Sequence, residues 1–599
     1  MSVQPRSLRM LGVGAVMVAG AVLLIARIGS ARDAAPAAAA GTGSADSCPD
    51  AGLKLPRGFC ATVFADQLGP IRHLVVAGNG VVYVNTWSGR YYDNQPSAAD
   101  GFLVALRDTA SSGKADVVRH FGPTEAQGGK GGTGIALYRG ALYVEESDRI
   151  ERYQLAPGAI VPQGKPQVVV SGLPLSGDHP MHPFVIDADG ALYVDVASAT
   201  NSCQERNRQF ESRGIDPCTE LDTRGGIWVY DANKTGQQFS PAQRYATGIR
   251  NADGIAVAPG GHGIYATQHG RDQLHQNFPA LYKSEEEATQ PAEELLQVRK
   301  AGDYGWPECY FDEVRGRLVL APEYGGDGGS AIGLCAQKLA PVASFPAHWA
   351  PNDVVIYTGK SFPQHYRLGA FIAFHGSWDR APYPQGGYNV VFQPLTSDAP
   401  AGRCEIFADG FAGAIKDPGR ARHRPSGVAL GPDGSLYISD DTDGRIYRVS
   451  YRGGSAPTTA YTPCPPTDAP AGSAAAISAR PPEGEQANAG ASAALLPIPA
   501  GSSRQMVELG DDVFHGRAGG AGCTGCHGTD ASGTPLGPPL LGDRFLWGDG
   551  SYQSIEGIVR EGVAQPKQYR APMPPKGGAQ LTDEQVSAVA AYVWALSHH

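Results

Sequence analysis

Charge is scarce in this sequence of 599 residues: Asp, Glu, Lys and Arg together make up 18%, against 42% apolar residues. So little charge on so apolar a chain excludes general disorder, which needs the opposite balance. Basic residues are the rarer sign, 49 Lys and Arg against 59 Asp and Glu, and no basic stretch alternates with aromatic residues. The electrostatic attraction that holds a phosphate backbone is missing, so nucleic acid is not an expected partner. A helix-friendly composition is lacking too. The 79 glycines and 47 prolines are about twice and about 1.5 times the usual ~7% and ~5%, and neither suits a helix interior. Turn-rich β structure is expected instead. At ~100 to 200 residues per domain the length allows roughly three to five compact units, far beyond a small stapled scaffold.

What is present begins with an address. Arg6 and Arg9 precede an apolar run over residues 10–26, which fits a secretory signal or a short membrane anchor. Gly29-Ser30-Ala31 is a weak cleavage site, and an Ala-rich tether follows over 34–40. The expectation is an exported, periplasmic protein, either soluble or anchored to the inner membrane through residues 10–26. Cysteine use agrees. Beside the pair Cys523 and Cys526 stand eight single cysteines, an even number that suggests disulfides in an oxidising compartment. The simplest pairing closes local loops: Cys48 with Cys60, Cys203 with Cys218, Cys309 with Cys335, and Cys404 with Cys464.

Between residues 47 and 461 a short β-branched or aromatic strand recurs six times, over 81–84, 142–144, 192–194, 264–266, 371–373 and 436–438. The spacing is irregular, which long inserted loops explain. Six such units predict a six-bladed β-propeller, in which radial closure protects the sheet edges. Residues 462–503 turn to Pro, Ala, Gly and Ser and read as a linker. Residues 504–599 form a second, small all-α domain. It ends in a helix whose Thr582 and Gln585 make a capping box, with Val586, Val589, Ala590, Val593 and Trp594 on one face.

Within that second domain, Cys523-Thr524-Gly525-Cys526-His527 is a CxxCH, the attachment sequence of a c-type haem. The two thiols bind the haem covalently and His527 becomes an axial iron ligand. A zinc site would need further ligands at suitable spacing, and only His515, His598 and His599 accompany the motif. For the sixth position the domain offers Met506 and Met573. Met573 is preferred, because prolines on both sides hold its loop extended, whereas Met506 falls in the first helix. The segment resembles a class I cytochrome c over about 95 residues.

The large domain carries Ser176-Gly177-Asp178-His179, Gly248-Ile249-Arg250-Asn251-Ala252-Asp253-Gly254 and Gln268-His269-Gly270-Arg271-Asp272. Further on come Ala301-Gly302-Asp303-Tyr304-Gly305-Trp306-Pro307, His375-Gly376-Ser377-Trp378-Asp379-Arg380 and Arg424-Pro425-Ser426-Gly427-Val428. In this order they resemble the quinoprotein sugar dehydrogenases of the sorbosone, pyranose and soluble aldose group, six-bladed propellers that use pyrroloquinoline quinone (PQQ) and calcium. The resemblance implies that His179 is the base that takes the substrate hydroxyl proton, a role suited to an imidazole. His182 ranks second. The position of the acid that orients this base in the glucose branch holds Ser198, with Asp178 or Asp195 as substitutes. For the anionic PQQ the resemblance implies Arg250, Asn251, His375, Arg380 and Arg424. For calcium it implies the main-chain carbonyls of Gly270 and Arg271. Trp306 and Trp378 are candidates to stack on a flat ring or to fill the core, and the inserted loops 201–222 and 310–335 to shape the entrance.

The favoured function is an exported dehydrogenase that oxidises a sugar, sugar aldehyde or polyol at PQQ and passes electrons to its own haem. From there they go to a respiratory acceptor, a cytochrome or oxidase. The alternatives are a calcium-dependent propeller hydrolase and a non-catalytic docking propeller, because propellers host many functions.

Overall fold

The computed structural model describes residues 48, 51–86, 100–124, 127, 131–209, 211–381, 383–396, 401–416, 421–453, 462–465, 493, 496–516, 518–519, 521, 523–527, 531, 533, 537–541, 545–569 and 572–598. The candidate signal or anchor, the Ala-rich tether and most of the 462–503 linker lie outside these residues. Among the described residues no helix is long and apolar enough to cross a membrane.

Strand-rich sequence between 59 and 451 folds into six sheets arranged as the blades of a propeller, antiparallel except where Gln237–Gln238 adds in parallel to the edge of the second. The innermost strands are Ile71–Val76, Ile135–Tyr138, Phe184–Ile186, Ile255–Val257, Pro351–Ile356 and Pro425–Leu430, each packed against the next and the last against the first. Beside them run Val82–Thr86, Ala141–Glu146, Ala191–Val196, Ile264–Gln268, Gly369–Phe374 and Leu436–Asp440. Every one of the six strands expected from sequence falls in this second position. The reason is burial: both faces of a second strand meet a neighbouring blade, so its residues are continuously apolar and stand out from the chain. Phe371, Ile372 and Ala373, for example, are fully buried.

The ring is closed by the N-terminal strand. Phe59–Ala65 adds antiparallel to Arg445–Tyr451 as the outermost strand of the sixth blade, with Phe59 opposite Tyr451. All four expected disulfides are present: Cys48–Cys60, Cys203–Cys218, Cys309–Cys335 and Cys404–Cys464.

Two insertions rise beside the centre. One, between the second and third strands of blade three, carries Cys203–Cys218. The other, in blade four, contributes a hairpin (Cys309–Asp312 with Arg317–Leu320). Two helical turns, α1 (Leu274–Asn277) and α2 (Ser284–Glu287), lie within blade four. The insertions hold each other through Gln204 Nε2 to Glu323 Oε1 (3.1 Å) and Tyr324 Oη to the Cys203 carbonyl (3.3 Å).

The C-terminal domain is helical: α3 (Arg504–Phe514), α4 (Cys523–His527), α5 (Tyr552–Glu561) and α6 (Asp583–Ser597). Thr582 and Gln585 form the expected capping box of α6. Val507, Val513 and Phe514 of α3 share a core with Val586, Val589, Ala590 and Val593 of α6. Gly510 makes this crossing tight, since a Cβ there would overlap the Ala588 carbonyl.

Candidate functional site

The inner ends of the blades bring the quoted motifs together from distant sequence. His179, 8% exposed, follows the second blade's outer strand, and its Nδ1 lies 2.9 Å from the Ser198 carbonyl and 3.0 Å from Ser198 Oγ. The Ser198 hydroxyl donates onward to the Thr200 carbonyl (2.7 Å). Its oxygen therefore accepts, Nδ1 carries the ring proton, and Nε2 keeps the lone pair that a base requires. Burial, then the charge of Arg250, pushes the His179 pKa down to about 3, so the ring is neutral. Ser198 orients the ring without an acid. Asp178 turns instead to Arg208 Nε (2.8 Å), and Asp195 Oδ2 accepts from the Ala252 amide (3.2 Å).

His182 is excluded as the base by its own contacts. It is fully buried, with Nδ1 3.2 Å from Glu145 Oε1 and Nε2 2.9 Å from the Pro174 carbonyl.

Arg250 is the hub of the site. Nε and Nη2 bond Asn201 O (3.1 Å) and Oδ1 (2.9 Å), Nη2 also bonds Asp272 Oδ2 (2.9 Å), and Nη1 bonds the Gly270 carbonyl (3.0 Å). Asn251 is buried beside it, its carbonyl accepting from the His269 amide (3.0 Å). The calcium expectation at Gly270 and Arg271 meets an obstacle here. The Gly270 carbonyl already faces a guanidinium, and a metal ion placed on it would stand against that positive charge. The Arg271 side chain leaves the site to pair with buried Glu323.

Around the central axis, Arg72 of blade one bonds Asp253 of blade four (2.9 Å) and Asp441 of blade six (2.8 Å). His375 Nε2 shares the Asp441 carboxylate at 2.9 and 3.0 Å. Arg424 donates to the His375 and Gly376 carbonyls (3.2 and 3.3 Å) and makes no ion pair with an acid among the described residues. That guanidinium, within the field of the Asp441 carboxylate but not paired to it directly, fits an anionic cofactor. Arg380 is directed to the Ala347 and Pro384 carbonyls (2.9 and 3.3 Å), a loop-holding role. Trp306 is core, packed beside Cys203–Cys218 with Nε1 on the Asn201 carbonyl (3.0 Å).

Sequence reasoning missed Asn201, Arg208 and Asp272 as site members. Arg208 joins Asp178 to Asp272 (2.8 and 3.1 Å) from within an inserted loop. The sole sequence signal was the adjacency of Asp272 to Gly270-Arg271, since loop insertions have no periodicity to read.

The second site is the haem cavity, of about 1260 Å³ with its opening to solvent included, lined by Cys523, Cys526, His527, Met573 and apolar side chains of α5 and α6. Burial pushes the thiols of Cys523 and Cys526 up to about 12 and about 11. His527 Nδ1 lies 2.9 Å from the Pro538 carbonyl, which leaves Nε2 for iron in the arrangement usual for a ligating imidazole. Met573 lies across the cavity, fixed by a two-way backbone bridge to Val563 (2.8 and 3.0 Å). Met506 sits in α3 and does not line the cavity. The donor set fits haem c.

The two sites are neighbours. Gln273 and Trp378 of the propeller line the haem cavity. Trp378 lies so close on α4 that a Cβ at Gly525 would overlap its ring. The charges of Arg208, Asp379 and Asp272 reach the Cys526 thiol.

A family model, TrAA12-like, matches residues 53–452. The chain belongs to the TrAA12-like family. A cytochrome c model matches residues 507–597, the helical domain with its CxxCH. Among solved structures, the Trichoderma reesei carbohydrate-active enzyme of family AA12 is 18% identical, with a TM-score of 0.53 over 67% of this chain and 98% of that one. The PQQ domain of Coprinopsis cinerea pyranose dehydrogenase is likewise 18% identical, with a TM-score of 0.51 over the same shares. Both share the propeller fold. A curated relative, an uncharacterised Borreliella burgdorferi protein, is 28% identical over 34% of this chain and 48% of its own. The FixP subunit of the Rhizobium etli cbb3-type cytochrome c oxidase is 37% identical over 13% of this chain and 27% of its own. The chain thus spans about half or less of the length of these curated relatives. The chain thus joins a TrAA12-like propeller to a cytochrome c domain.

Proposed function

We propose that the protein is a quinohaemoprotein dehydrogenase. In this reading a sugar, sugar aldehyde or polyol is oxidised at the propeller centre, and the electrons leave through the chain's own haem to a respiratory cytochrome or oxidase outside the cytoplasm. The observation that carries it is the neutral His179, its Nδ1 held by Ser198, in the field of the Arg250 guanidinium, on a propeller whose Gln273 and Trp378 line the haem cavity.

PQQ supplies a two-electron acceptor for hydride and haem c a one-electron carrier. The chain's own residues do the rest. His179 Nε2 takes the hydroxyl proton, and burial, then the charge of Arg250, keeps the ring neutral between turnovers. Arg424 and Asn251 would hold the anionic cofactor, with Arg250 fixed behind it as a structural cation. His527 and Met573 would hold the haem iron, and Trp378 holds α4 against the propeller. Calcium at Gly270 is left out of this scheme because Arg250 occupies that carbonyl.

The test uses the haem-loaded chain, supplied with PQQ and divalent cations and offered aldoses, sorbosone and simple alcohols while the haem band is followed. Haem reduction that needs both PQQ and one substrate class supports the reading. A correctly loaded haem that no substrate reduces overturns it.

A further inference from the structure

Behind Arg250, on the side of the haem cavity, the carboxylates of Asp272 and Asp379 converge with the His348 imidazole. One ligand atom from each lies within 4.8 Å of the others, and all three residues are buried. His348 Nε2 is 2.8 Å from the Glu287 carbonyl and 3.1 Å from that of Gln290, so Nε2 carries the proton and Nδ1 turns its lone pair on the carboxylates. Nδ1 stands 3.8 Å from Asp272 Oδ1, too far for a hydrogen bond. Asp272 Oδ2 is taken by Arg208 and Arg250, which leaves Oδ1 for the cluster. Asp379 accepts from the Gln273 amide (3.0 Å) and Gln276 Nε2 (3.4 Å) and has no Lys or Arg partner among the described residues.

A second observation points the same way. Gln276 is 5% exposed and its amide is at the cluster through Asp379, yet its Oε1 has no hydrogen-bond partner. Three acceptors around one small space, touched by a buried amide whose oxygen is unsatisfied, call for a cation. A protonated His348 would answer only part of this, since it leaves the Gln276 oxygen unpaired and the Nδ1 contact overlong.

We propose that Asp272, His348 and Asp379, with Gln276 Oε1 as a further donor, bind a divalent first-row transition ion such as Mn²⁺ or Zn²⁺. The donor set names the class. An imidazole among the ligands disfavours Ca²⁺ and Mg²⁺, which take oxygen, while two carboxylates with one imidazole suit Mn²⁺ or Zn²⁺. The proton of His348 resting on backbone carbonyls is the outer-shell arrangement that fixes a ligating ring. Because Gln273 follows Asp272 and Trp378 precedes Asp379, the ion would tie together the two propeller segments that touch the haem cavity.

The site is tested without substrate or PQQ, so its outcome is separate from that of the dehydrogenase reading. The full haem-loaded chain is stripped with a chelator, then titrated with Mn²⁺ followed by electron paramagnetic resonance of the free ion, and with Zn²⁺ followed by elemental analysis. One equivalent per chain beyond the haem iron is expected. Asp379→Asn and His348→Gln should each weaken binding at least tenfold, with the haem spectrum and circular dichroism unchanged. Asp379→Asn is nearly isosteric and guards against misfolding. Absence of stoichiometric binding in the folded wild type would overturn the site. Equal binding by both variants, or uptake of Ca²⁺ in preference to either ion, would also overturn it.

Discussion

His179 shows how a single side chain is set for its task by neighbours that carry no charge. Ser198 holds Nδ1, and burial with Arg250 keeps the ring neutral, so the proposed base is ready over the whole physiological pH range. His179→Gln is expected to lower substrate turnover by about 10² to 10⁴-fold while the haem spectrum stays as it is, checked by dye-linked assay and absorbance. Ser198→Ala removes only the weaker of the two contacts and should cost far less, because the carbonyl still holds the ring. At the haem, Met573→Ala is expected to change the reduced spectrum, since among the described residues no other methionine lines the cavity. An unchanged spectrum would assign the sixth position elsewhere.

Among elements, the second strands of the blades were legible in the sequence because burial on both faces writes a continuous apolar run. The first strands were not: Phe184–Ile186 and Ile255–Val257 are three residues long, too short to show a period. The CxxCH on α4 and the capping box of α6 were readable because covalent attachment and capping demand fixed spacing. Arg208 and His348 left no such trace, since each reaches the centre from a loop. The contact between α4 and Trp378 was equally invisible, being a matter of shape. Gly525→Val should push α4 off the indole, and the rate of haem reduction relative to dye reduction should fall by about tenfold or more, read by stopped flow with haem content verified. Gly510→Val should destabilise the helical domain by about 1 to 3 kcal/mol, because the added carbons meet backbone where α3 crosses α6. Denaturant unfolding monitored at the haem band measures it.

Over the whole molecule, buried ionisable groups of both kinds bound the stable pH range. Burial lowers His73, His179 and His269 to about 3 and His375 to about 4. The unfolded chain protonates these rings below their ordinary 6.5, so it binds more protons than the native state and stability drops as pH falls through that window towards 3. Burial raises Asp253 to about 6, Glu293 to about 7 and Glu294 to about 8. There the native state holds protons that the unfolded chain releases, and stability declines as pH rises from the ordinary carboxylate range through 8. The melting temperature of the cofactor-free chain should therefore peak near about pH 6 and fall on both sides. A flat profile from pH 4 to 9 would contradict these burials.

Pairing of Phe59–Ala65 with Arg445–Tyr451 makes the outer strand of the last blade out of the beginning of the domain. A ribosome must therefore have finished the sixth blade before the first few strands find their final neighbours, and the ring exists only as a finished whole. Trp378 receives α4 on that ring, so the helical domain, made last, meets its seat at about the moment the seat becomes available.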